Sequence, residues 1–243
     1  MTNIIALDRA THRALRIERR PSARHGDNQR FVQVVVREFP LLAIQCPILV
    51  SKDADTGAFF CGAMLGFDEG ENLFLADGGG HEGYRPLNLQ RAPFYVAGGE
   101  LAVDLDSPRI AAAGGERVFD DAGQPTAYLE GIRSVFNELR PGLEMTKAFL
   151  ETLVRLKLLA PLEVELSFDD GSSRELAGLY TIDQEALRGL PDAAVLELFR
   201  QGYMYLIHLM IVSVKQISSL ASRKNGRLLD GGGDTGVAWP ARA

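Results

Sequence analysis

The chain is poor in the residues that hold small folds together covalently or through metals. Of 243 residues only two are cysteine and four are histidine, and tryptophan occurs once. Cys46 and Cys61 lie in apolar surroundings, Ile44-Gln45-Cys46-Pro47-Ile48 and Phe59-Phe60-Cys61-Gly62-Ala63, with no CxxC or Cys/His spacing that suits zinc. Both are expected to be reduced core thiols, and a chain of this length buries a core without disulfides. No apolar run reaches the roughly 18–20 residues that cross a bilayer. The longest, residues 203–214, contains His208 and predicts a buried helix with no membrane span. The stretch from Met1 to Arg9 is broken by charge before it forms a signal-peptide core of about 7–15 residues, so a cytoplasmic location is expected. Basic residues are outnumbered 32 to 26, a net charge of −6, which argues against nucleic acid or anionic lipid as a general partner.

What is present predicts an α+β fold: an N-terminal, mostly antiparallel β region followed by a helical region containing one β-hairpin. Residues 1–120 have the texture of strands, with short apolar runs punctuated by Gly, Pro and Asp. Strands are expected at 31–36, 47–50, 59–65, 72–75, 94–97 and 100–104, with a short helix or turn at 38–43. A hairpin is expected across Asp53-Ala54-Asp55-Thr56-Gly57. Residues 121–223 read as helical. Leu129, Ile132, Val135, Phe136 and Leu139 have the spacing of an amphipathic helix over 126–139, which Pro141-Gly142 should end. A second helix is expected over 143–159. Asp169-Asp170-Gly171 predicts a hairpin over 162–181, and Asp183 caps a short helix ending near Gly189. Pro191 opens a long helical stretch to about Ser222, with a break near Gly202. Residues 224–243, with Gly231-Gly232-Gly233, lack apolar periodicity and are expected to be a disordered tail.

The chemistry-bearing residues form no complete catalytic pattern. Gly78-Gly79-Gly80 leads into Tyr84-Arg85-Pro86 rather than into a helix, so it is read as a loop and not a phosphate cradle. No HExxH or GxSxG pattern occurs. A metal reading would use His12, Asp77, His81 and Glu82 in the manner of a two-histidine, one-carboxylate site. His208, inside an apolar helix, reads as a packing residue, and Tyr203, Met204, Tyr205, Ile207 and Met210 beside it as core. Arg85, Arg91 and Arg109 lie among Tyr84, Phe94 and Tyr95. Arginine with aromatic residues suits a recognition surface, because a guanidinium pairs with carboxylates and stacks on rings. The alternative is that Arg85 and Arg91 tie loops to internal carboxylates such as Glu71 or Glu38.

An ordered set of segments resembles the bacterial SapC family over about residues 10–222. It comprises Val35-Val36-Arg37-Glu38-Phe39-Pro40 with Pro47-Ile48; Leu65-Gly66-Phe67 with Gly70-Glu71-Asn72-Leu73-Phe74; Tyr84-Arg85-Pro86-Leu87 with Arg91-Ala92-Pro93-Phe94; and Gly178-Leu179-Tyr180-Thr181-Ile182-Asp183 with Leu187 and Leu190. His12 falls where members often carry a histidine, whereas His81 stands where a tryptophan is common. The resemblance implies an accessory protein encoded near TonB-dependent receptors and halogenase-like or cupin-like oxygenases. It carries over no catalytic residues and no cofactor. The expectation is a non-enzymatic protein that holds a protein or peptide partner through Tyr84, Arg85, Arg91 and Phe94. The alternatives are a metal-dependent hydrolase or oxygenase and a surface-layer structural protein. Oligomeric state does not follow from the sequence.

Overall fold

The computed structural model describes residues 3–231. In chain order the elements are β1 (Ile4–Ala6), β2 (Arg16–Ile17), β3 (Phe31–Gln33), α1 (Phe39–Leu42), β4 (Ile48–Lys52), β5 (Phe59–Met64), α2 (Leu87–Gln90), β6 (Phe94–Ala97), β7 (Glu100–Asp104) and β8 (Glu116–Arg117). There follow α3 (Ala127–Arg155), β9 (Leu159–Pro161), β10 (Glu165–Ser167), β11 (Ser173–Glu175), β12 (Leu179–Ile182), α4 (Gln184–Arg188), α5 (Asp192–Arg200), α6 (Tyr203–Ser213) and α7 (Gln216–Gly231). The fold is α+β.

The strand pairings are all antiparallel, and the largest sheet has the order β3-β5-β4-β12-β9. The β4–β5 hairpin forms as its turn sequence predicts: Asp53 accepts from the Thr56 amide at 2.8 Å, and Gly57 takes φ 67°. A second sheet, β1-β7-β6, contains the hairpin around Gly98-Gly99. The Asp169-Asp170-Gly171 turn closes only a short hairpin, β10–β11. After Gly178, at φ 74°, the chain leaves that hairpin, and β12 joins the main sheet between β4 and β9. Residues 72–75 are a turn rather than the expected strand, because the Asn72 side chain takes over the backbone pairing: its Oδ1 accepts from the Phe74 amide at 3.0 Å and its amide donates to the Asp27 carbonyl at 2.8 Å.

The largest departure from the sequence reading is α3, which runs unbroken for 29 residues through Pro141 and Gly142. Its cap is Thr126, whose hydroxyl accepts from the Leu129 amide. Proline removes one helical hydrogen bond, but packing on either side keeps the axis continuous. Leu129 and Ile132 enter a cluster with Ile17, Phe94, Val103 and Val118. Leu139 meets Val35 and Leu87, and Phe149, Leu150 and Leu153 enter the main core with β4, β5 and α6. At about 1.5 Å per residue α3 is roughly 43 Å long, so one helix reaches all three clusters. The change of texture near residue 120 marks the approach to this helix, and the main core takes residues from both sides of it.

The C-terminal helices also differ from expectation. Gly202, at φ 74°, separates α5 from α6 as expected, but a further turn at Val214-Lys215 separates α6 from α7. Residues 224–231, assigned to the tail, continue α7, because Lys224 is buried against Asp68 and Glu71, with 2.9 Å to Glu71. The remaining tail residues, 232–243, lie outside the described residues. The stretch Tyr203–Leu229 is long and apolar enough by composition to cross a membrane, a longer span than the twelve-residue run suggests. In the fold its Ile207, Met210, Ile217 and Leu220 are core residues. Tyr203 and Met204 are half-buried, and Tyr205 and His208 are exposed. Cys46 and Cys61 are free and buried, and burial pushes both thiols up to about 12.

Two glycines of α3 give opposite predictions. A Cβ on Gly142 would lie 2.7 Å from a methyl of the buried, β-branched Val35, whereas one on Gly131 would meet nothing within 4 Å. Gly131→Ala is expected to stabilise the protein by about 0.5–1 kcal/mol through helix propensity. Gly142→Ala is expected to destabilise it by about 1–2 kcal/mol through overpacking. Urea denaturation of the two variants checks both signs.

Candidate functional site

Asp27, 1% exposed, is the electrostatic centre of the N-terminal half. Gly26 takes φ 81° after a 3-10 turn at Ala23–His25, and Asp27 Oδ2 accepts from the Ser22 amide at 2.9 Å. Two arginines converge on the same carboxylate. Arg85 donates from Nη2 to Oδ1 at 2.7 Å and to the Leu89 carbonyl at 2.7 Å. Arg109, also 1% exposed, donates to Oδ2 and, through Nη1, to the Glu18 carbonyl at 2.9 Å. Burial lowers the pKa of Arg85, and the Asp27 carboxylate opposes that shift. The Nε atoms of both arginines are buried without a partner among the described residues.

Helix α3 is the common wall of two concavities, because its faces alternate with helical periodicity. Tyr128, Gly131, Ile132 and Val135 face a cleft of about 1270 Å³ whose other side carries Arg19, Arg85 and Arg109. Arg133, Phe136, Asn137 and Arg140 face a groove of about 1130 Å³, opposite Leu7, Arg91, Tyr95 and Val96. Strand β6 is an edge of its sheet. The carbonyl of Leu101, paired with Val96, accepts from the Leu7 amide on the far side of β7. Val96 therefore turns its own N–H and C=O away from β7, toward the open edge.

The model of the SapC family matches residues 7–220, nearly the whole described chain. The chain belongs to the SapC family. No curated protein and no solved structure shows a significant match.

The four residues expected to form one recognition surface are divided in this SapC chain. Arg85 and the half-buried Tyr84 line the cleft, and Arg91 lines the groove. Phe94 is 0% exposed, so the expected surface loses it: an inward-facing strand position places the ring in the cluster under α3. Arg91 donates to Asn88 and to the Phe94 carbonyl, both at 2.8 Å, and stacks on Tyr95 at 4.6 Å. Arg85 does tie loops to a carboxylate, but the acceptor is Asp27 rather than Glu71 or Glu38. Glu38 is a buried internal acceptor, bonded by the Val35 and Leu87 amides at 2.9 and 2.8 Å and by the Tyr84 hydroxyl at 3.2 Å. Burial raises the pKa of Glu38, and burial beside Glu38 raises that of the Tyr84 phenol.

The metal set His12, Asp77, His81 and Glu82 is not assembled: no group of three or more His, Cys, Asp or Glu is placed to hold an ion among the described residues. Other contacts claim three of its members. His12 Nδ1 accepts from the Asp8 amide at 2.9 Å, Glu82 pairs with Arg223 at 2.7 Å, and His81 stacks on Phe74 at 5.8 Å. Sequence reasoning missed Asp27, Tyr128 and Arg140. Asp27 lies 58 and 82 residues from its two arginines, a separation with no local signature.

Two substitutions probe this region. Asp27→Asn leaves two buried guanidiniums uncompensated and is expected to cost about 3–5 kcal/mol, while Arg91→Ala, on the groove wall, is expected to cost about 1 kcal/mol; chemical denaturation compares them. His81 has both ring nitrogens buried and without a partner among the described residues. Burial lowers its pKa, with Arg85 adding to the shift. The unfolded chain, titrating near 6.5, then binds the proton more readily, so stability contributed by the neutral imidazole is present above about pH 6.5 and is lost as the pH falls below it. His81→Phe is expected to add about 1 kcal/mol at neutral pH. It should also flatten the loss of stability between about pH 7 and 5, seen in parallel urea titrations.

Proposed function

We propose that this SapC chain is a cytoplasmic, non-catalytic accessory protein that holds an extended, acidic segment of a partner protein in the groove between β6 and α3. The N–H and C=O of Val96, unpaired among the described residues, carry the reading: Val96 is 50% exposed and offers a main-chain anchor of the kind by which an edge strand accepts a peptide. The walls supply selectivity. Arg9, Arg91, Arg140 and Arg133, the last paired with Glu130 at 2.7 Å, line the groove against two carboxylates, Asp8 and Glu100, while Phe136 and Leu143 give it an apolar floor. This surplus of guanidinium favours aspartate- or glutamate-rich segments. The family resemblance supports a partner from the TonB-dependent receptor and halogenase-like or cupin-like oxygenase systems.

A photo-crosslinking amino acid at Val96, in the tagged chain expressed in its native host, tests the reading. One discrete adduct is expected, mapping to an acidic segment of the partner. Its yield should fall about tenfold in Arg140→Glu, since about 1.4 kcal/mol of lost attraction is a factor of ten. No adduct at Val96, or an adduct insensitive to Arg140→Glu, would overturn the proposal.

A further inference from the structure

The cleft on the other face of α3 has a chemistry of its own. Its floor holds two guanidiniums, Arg85 and Arg109, over one carboxylate, Asp27, so one positive charge is left over after the internal pairing. The side chains are already immobilised: Arg109 is 1% exposed, and its Nη atoms are fixed on Glu18 and Asp27. Both bonds of Arg85, which lines the cleft, leave from Nη2, and its Nη1 has no acceptor among the described residues. Arg19 and the half-buried Tyr128 stand on the walls, and neither side chain bonds to another described residue. Glu18 and Glu116 also line the cleft, but Arg19 and Arg20 match them in charge.

We infer that this cleft binds a small organic oxyanion, a molecule whose carboxylate or phosphate group sits between Arg85, Arg19 and Tyr128 above the buried Asp27. Arg85, Arg19 and Tyr128 line one cleft and keep donor capacity that no described residue uses, and an oxyanion supplies several acceptor oxygens at once. Because Arg85 is held by Asp27 and Leu89 beforehand, little of its side-chain entropy is lost when the ligand arrives. Burial holds the Tyr128 hydroxyl up at about 12, against the pull of Arg109, Arg19 and Arg85, so it remains a protonated donor at neutral pH. At about 1270 Å³ the cleft exceeds a bare inorganic ion, which makes the anionic group one end of a metabolite-sized molecule. The site is separate from the peptide groove and does not depend on it.

The experiment is calorimetric titration and thermal denaturation of the full chain with inorganic phosphate and, separately, with succinate, each at constant ionic strength against sodium chloride. Saturable binding of one anion, with a Tm rise that chloride does not reproduce, is expected. The phosphate and succinate arms distinguish the two ligand chemistries. Arg19→Ala/Tyr128→Phe removes groups with no internal partner and so should leave folding intact while weakening binding at least about tenfold. Arg140→Glu, across α3, should leave binding unchanged. Absence of saturable binding by either anion, or equal binding by the Arg19→Ala/Tyr128→Phe variant, would overturn the inference and leave Arg85 and Arg109 as ties for Asp27 alone.

Discussion

One buried carboxylate organises the part of the molecule that has least regular structure. Asp27 receives Arg85, Arg109 and the nearby Ser22 amide on its side chain and Asn72 on its carbonyl, so three residues far from it in sequence meet at one point. Short strands such as β2 and β8 and the loops beside them could not fix these segments by ladder hydrogen bonds alone. A carboxylate shared by two arginines is costly to desolvate, and the cost is offset only when geometry and partners are complete. That requirement gives the region its definite shape, and it also leaves the surplus positive charge that characterises the cleft.

Around this centre α3 acts as a spine. Its first turns close the small cluster beneath β6 and β7, its middle meets Val35 and Leu87, and its last turns complete the main core with β4, β5 and α6. Because opposite faces of the same helix line the cleft and the groove, the two concavities have fixed relative positions while remaining chemically distinct. The cleft is built from tied guanidiniums, and the groove from an open strand edge with basic walls.

Local chemistry was legible in the sequence. The turn at Asp53–Gly57, the strands on either side of Gly98-Gly99, the Asp183 cap with amides at 3.0 and 2.9 Å, and the break at Gly202 all follow from preferences that act within a few residues. The same holds for the thiols of Cys46 and Cys61, both of which are buried in the main core. The ordered motifs of residues 35–40, 65–74, 84–94 and 178–190 were enough to recognise the SapC family, because they recur as a spaced set.

Only the tertiary structure decided where local preference was overruled or silent. Pro141-Gly142 reads as a helix stop, yet α3 continues because hydrophobic contacts on both sides outweigh one missing hydrogen bond, and Gly142 admits Val35 at close range. Residues 224–231 look featureless until Lys224 is seen buried against Asp68 and Glu71. Tyr84, Arg85, Arg91 and Phe94 lie within eleven residues, but the fold sends them to a cleft, a groove and a core. The sequence determined which residue types were available for recognition. Their separation into distinct sites was set by long-range ion pairing at Asp27 and by the two faces of α3, neither of which has a short-range signature.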